Sequence, residues 1–231
     1  GLLALALMLL ARILDARAWR RSLVAFRLYP PAGLTPDNVT AWLGSLSALT
    51  HVPWWWLLPY PPLVIEIVAT VEGIAHYLLV PEKQRGAVMA ACRAHLPGAR
   101  IEDAPGYLAT RPRPLLAAEW RLSNRRRSLG VDRTQVTTAG LLASLQPLGP
   151  GELVCVQWTL TGAGTPPPVR DTSTKHRDMP WWLEADAPAD LGDVRAIRVK
   201  QREGPLLHAV GRLGVVAASR SRGYALFGRT W

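Results

Sequence analysis

Leu63-Val64-Ile65-Glu66-Ile67-Val68-Ala69-Thr70 is followed by Val71-Glu72-Gly73 and then by Ile74-Ala75-His76-Tyr77-Leu78-Leu79-Val80. The first run is rich in branched residues and reads as a strand. Glu72-Gly73 signals a turn, and the second run returns as another strand, so the pair predicts a β-hairpin. Pro81-Glu82 then opens a helix whose apolar marks are Val88, Ala91, Cys92 and Leu96. Pro97-Gly98 closes it, and Ala99 to Glu102 supplies one more short strand.

Upstream of the hairpin, Ser22 to Pro30 alternates, with Val24, Phe26 and Leu28 on one face, which predicts a strand. Thr35-Pro36-Asp37 is a helix start: Thr caps, Pro sits in the first turn, and an acid lies near the positive helix end. Val39, Trp42, Leu43, Leu46 and Leu49 follow at helical spacing. The order strand, helix, strand, strand, helix, strand over 22–106 is that of a ferredoxin-like βαββαβ unit.

The pattern restarts in 107–231. A strand is expected over Leu115–Ser123. Asp132 and Gln135 suggest a capping box before a helix over Val136–Leu145. Gly149-Pro150-Gly151 ends that helix, and Glu152–Thr161 is a clear strand, with Val154, Val156, Trp158 and Leu160 on one face. A polar, Pro-rich insertion covers 162–190. A short basic helix through Lys200, a strand over Leu206–Ala217 and a helix from Ser219 complete the chain. The fold class expected is therefore α+β, with two tandem ferredoxin-like modules, the second lacking its fourth strand.

Residues 1–11 are uniformly apolar, and Arg12, Arg17, Arg20 and Arg21 come after them. A secretory signal would carry its charges first. A run this short does not cross ~30 Å of hydrocarbon, which takes about 20 residues. The chain also begins with Gly. The reading is that 1–21 is the truncated end of a transmembrane helix, with the arginines holding the rest on the cytoplasmic side of the cell membrane. A helix buried in a soluble domain is the competing reading.

With 27 Lys and Arg against 17 Asp and Glu, the chain carries a formal charge of +10, and its pI is near 10.5. Nearly half its residues are apolar (49%), enough to bury a core, so global disorder is excluded. Its 2 cysteines, Cys92 and Cys155, sit in apolar-periodic segments as free thiols, with no CxxC spacing for zinc.

The segments RLYPPAGLTPDNVTAWLGSLSAL (27–49), VIEIVATVEGIAHYLLVP (64–81), TAGLLASLQPLGPGELVCVQWTL (138–160) and VKQREGPLLHAVGRLGVVAAS (199–219), behind the apolar-then-arginine start, resemble actinobacterial type IV secretion and conjugative DNA-transfer proteins. That resemblance implies a membrane segment and paired α/β modules ahead of a motor ATPase of the HerA–FtsK class. It implies membrane attachment and contacts with other secretion-apparatus subunits or with further copies of the chain. DNA would be handled through the parent protein. No G-x-x-x-x-G-K-[ST] loop occurs here, so ATP-binding residues of such a family carry over to no position. No cofactor, catalytic residue or metal ligand is expected. The alternative is a stand-alone basic, membrane-associated nucleic-acid-binding protein.

Two residue groups are candidates for contact. The first is basic: Arg125, Arg126 and Arg127 in a strand-to-helix loop, and Arg198, Lys200 and Arg202 on and just after the basic helix. For these a solvated face, an anionic lipid leaflet and a DNA phosphate backbone compete. The second is aromatic: Trp54, Trp55 and Trp56 among four prolines, and Trp181 and Trp182 in the insertion. Consecutive tryptophans in a loop mark a protein or membrane contact, or else pack as lids on the sheet ends. Glu66 is a lone acid in an apolar strand, facing solvent or answering an arginine.

Overall fold

The computed structural model describes residues 2–50, 62–120, 134–163, 195, 198–199 and 207–230. Helix α1 (Leu2–Arg21) leads into strand β1 (Leu23–Tyr29), and helix α2 (Pro36–Leu49) follows. Thr35 caps α2 in extended conformation. Its hydroxyl accepts from the Asn38 N–H while the Asn38 side chain accepts from the Thr35 N–H, a closed capping box. Strand β2 (Leu63–Thr70) and strand β3 (Gly73–Pro81) form the hairpin. Gly73 sits at φ 127°, a backbone position that favours glycine.

The helix expected from Pro81-Glu82 begins instead with a 3₁₀ turn (Glu82–Gln84), and helix α3 occupies Arg85–His95. Strand β4 is Arg100–Asp103, and helix α4 is a single turn, Tyr107–Thr110, that the sequence reading did not anticipate. Strand β5 covers Leu116–Glu119, helix α5 Thr134–Ser144, strand β6 Leu153–Gly162, strand β7 Leu207–Val216 and helix α6 Arg220–Thr230. Residues 195, 198 and 199 are helical, where the basic helix was expected. Asp132 and most of the 162–190 insertion lie outside the described residues.

The architecture is α+β. Seven strands make one sheet in the order β4-β1-β3-β2-β6-β7-β5, every neighbouring pair antiparallel. The first four strands and the last three are joined by β2 against β6, with Glu66 opposite Gln157. Near-continuous apolar runs suit both strands to this interior position, where each sheet face needs cover.

One face is covered by helices. In the first half, Phe26, Leu63, Leu78 and Val80 meet Trp42 and Leu46 of α2 and Val88 and Cys92 of α3. In the second half, Val154, Val156, Leu213 and Val215 meet Leu145 and Leu226. Fully burying a side chain of this size contributes about 1.5–3 kcal/mol. Gly211 is forced by this packing: a Cβ there would stand 2.6 Å from the Trp120 ring and 2.8 Å from the Trp158 ring.

Helix α1 differs. Trp19 near its C-terminal end packs on Ala25, Val64 and Leu79, on the face away from α2 and α3. Further out, Leu5, Leu7, Met8, Leu9, Leu10, Ile13 and Leu14 are all exposed. A helix does run over the segment expected to be membrane-spanning. Among the described residues, however, no helix is long and apolar enough to cross a membrane. Arg12, Asp15 and Arg17 interrupt the apolar run.

Candidate functional site at the sheet junction

On β2, Leu63, Ile65, Ile67 and Ala69 face the helices, which turns Val64, Glu66 and Val68 to the other side. Glu66 therefore lies on the face that the sequence left open to solvent, yet it is fully buried. Its strand register extends into a row with one residue from each strand: Glu102, Arg27, Tyr77, Glu66, Gln157, Arg212 and Glu119. Opposite charges stand side by side at both ends of the row, an arrangement worth about 0.2–1 kcal/mol per pair.

Three donors converge on the Glu66 carboxylate. Gln157 Nε2 donates to Oε1 at 2.5 Å, Arg111 Nη2 reaches Oε1 at 2.9 Å, and the Tyr107 hydroxyl donates to Oε2. Tyr107 is carried by α4 and lies flat on Tyr77, ring centroids 3.8 Å apart and planes within 11°. The single turn of α4 thus lays its first residue on the sheet and directs the chain so that Arg111 arrives beside the same carboxylate. Of the two readings of Glu66, the one in which it answers an arginine is the one realised.

Burial, and then the Glu66 charge and hydrogen bond, push the Tyr107 hydroxyl far above its ordinary range, so it keeps its proton and donates. Burial, followed by the Glu66 charge, pushes the Cys155 thiol up to about 12, which leaves it protonated and poorly nucleophilic at neutral pH. Among the described residues no group of three or more His, Cys, Asp or Glu gathers to hold a metal ion. Burial lowers the His76 pKa on β3, and His208 on β7 is exposed. Chemically the cluster is a latch: one buried acid whose oxygens are taken by β6, by α4 and by the segment after it.

The basic residues divide. Arg111 serves Glu66, and Arg222 binds Glu152 through two N–H groups at 2.6 and 2.8 Å. Arg198 is half-buried on a helical turn. Arg125, Arg126, Arg127, Lys200, Arg202, Trp54, Trp55, Trp56, Trp181 and Trp182 lie outside the described residues. Tyr107 and Gln157 were missed. Gln157 carried a signal, as a polar residue alternating with the apolar face of β6; Tyr107 carried none. Compared with known proteins, the chain matches no family model, no curated protein and no solved structure.

Proposed function

We propose that this chain is the membrane-proximal anchoring and assembly region of a conjugative DNA-transfer motor protein, non-catalytic in itself and facing the cytoplasm. The observation that carries membrane attachment is α1. Seven large apolar side chains between Leu5 and Leu14 are exposed at 44–58%, and Arg17, Arg20 and Arg21 follow. Up to Ala11 the helix is apolar all round, has no water-facing side and calls for burial in lipid or protein. Arginines at its inner end favour an anionic leaflet, each by about 1 kcal/mol. Trp19 fixes that helix to the sheet, so the body is held close to the surface.

The assignment to DNA transfer rests on the resemblance of the quoted segments. The fold reading is in keeping with it. The order β4-β1-β3-β2 is compatible with a ferredoxin-like unit, and β6-β7-β5 with part of a second one.

Flotation with vesicles of phosphatidylcholine and phosphatidylglycerol tests the attachment. The chain is expected to float with them, and Leu7→Asp with Leu10→Asp and Leu14→Asp is expected to abolish flotation while leaving the thermal melt unchanged. A chain that stays monomeric in buffer and ignores vesicles would sink the proposal.

A further inference from the structure

The segment 111–114 runs over the sheet beyond the Glu66 latch and borders a cavity of about 130 Å³ that is open on one side. Its walls include Val68, Cys155 and Val216 from the sheet and Pro114 from the segment. Arg111 and Arg212 also line it, and among the described residues no acidic side chain does. Arg111 is 35% exposed, and Arg212 is exposed and engages Glu119 through Nε at 3.5 Å. The cavity thus joins an apolar interior to guanidinium groups that still reach solvent.

We propose that this cavity is a binding site for a small organic anion: a carboxylate on a compact apolar body. The volume sets the body. Apolar cavities of roughly 150 Å³ stay dry and take up benzene-sized guests, whereas drug-sized ligands need about 300 Å³ or more. The lining sets the head group. Guanidinium presents paired N–H donors that match a carboxylate: Arg111 meets Glu66 through Nη2 and Arg212 meets Glu119 through Nε, so each guanidinium has further N–H groups with which to receive a negative guest in preference to a neutral one. An inorganic anion would leave the apolar walls unfilled, and a protein side chain would have to enter alone beneath the 111–114 segment. The inference is independent of membrane attachment.

The full chain titrated with benzoate and isovalerate, followed by protein-observed NMR, tests it. Benzyl alcohol serves as the neutral isostere and acetate as the anion without a body. Benzoate is expected to bind saturably and about tenfold or more tighter than either control, the equivalent of one good charge-assisted contact. Arg212→Leu should remove the preference for benzoate over benzyl alcohol. Ala117→Phe, placed on the exposed lining of β5, should fill the cavity and abolish binding. Both positions are exposed, so the melts should match the parent's; if the Ala117 variant melts early, the Arg212 variant still decides. The proposal is overturned by absence of saturable benzoate or isovalerate binding up to about 10 mM, the weak limit for so small a ligand. Equal affinity for benzyl alcohol, or binding unchanged in Ala117→Phe, overturns it equally.

Discussion

The two halves of the sheet repeat a strand order but not a cover. In the first half, the face away from α2 and α3 is closed by Trp19 of α1 and by Tyr107 and Leu108 of α4, packed on Ala25, Val64 and Leu79. In the second half the same face meets the 111–114 segment, and Ala117 and Arg212 remain exposed. The helix-side cores of the two halves are therefore alike, while the difference lies on the other face: an N-terminal helix and a linker. Glu66 sits at the seam and ties that linker to both halves, to β2 by its backbone and to β6 through Gln157. If this is right, damage to the latch uncouples the linker, whereas damage elsewhere stays within one half.

The largest effect is expected from Arg111→Ala. Glu66 would keep its burial and lose its cation, and leaving a buried charge uncompensated costs about 3–5 kcal/mol. A urea melt should show the loss. A cost under about 1 kcal/mol would mean that Arg111 behaves as a surface residue and that the seam is held by strand pairing alone.

Next in size is Tyr107→Phe, which removes one donor from a buried carboxylate at a cost of about 1–3 kcal/mol. It also carries a pH signature. The folded hydroxyl titrates above its ordinary 10.0 because of burial and Glu66. The stabilisation is fully present below pH 10.0 and is lost as pH rises beyond it. Melts of the parent should weaken above that pH, and those of Tyr107→Phe should weaken less. Parallel alkaline profiles would remove Tyr107 from the latch.

The hairpin was legible because both of its strands have branched residues and an unambiguous turn, and β2 begins and ends where sequence placed it. The capping side chain of Thr35 was legible for the same local reason. What failed was short or distant. Helix α4 has four residues and no side-chain cap, too little for any periodicity to register. Glu66 could be flagged as an anomaly in an apolar strand, but its partners Tyr107 and Gln157 lie 41 and 91 positions away; the turn of α4 brings the first to it and the join of β2 to β6 the second. Pro81-Glu82 has the composition of a helix start. The chain tightens there into 3₁₀ geometry because β3 continues through Pro81.

The smallest effect concerns the second half alone. Glu152, just ahead of β6, receives Arg222 of α6 through two N–H groups and the Gly149 N–H at 2.8 Å. This staples the last helix to the sheet on the face that is already covered. The guanidinium first, and the backbone N–H second, hold the Glu152 carboxyl well below its ordinary 4.5, at about 2. A carboxyl lowered in the folded state binds its proton more readily when unfolded, so its contribution is complete above pH 4.5 and fades as pH falls from about 4.5 to about 2. Because the Arg222 side chain is 37% exposed, solvent screens the pair and the contribution is small. Glu152→Gln should therefore leave the neutral melt nearly unchanged and flatten the acid limb of the stability curve. The opposite result, an unchanged acid limb with a large loss at neutral pH, would show that α6 depends on Glu152 for packing rather than charge. It would also show that the second half, like the first, is closed by a contact its strand order does not supply.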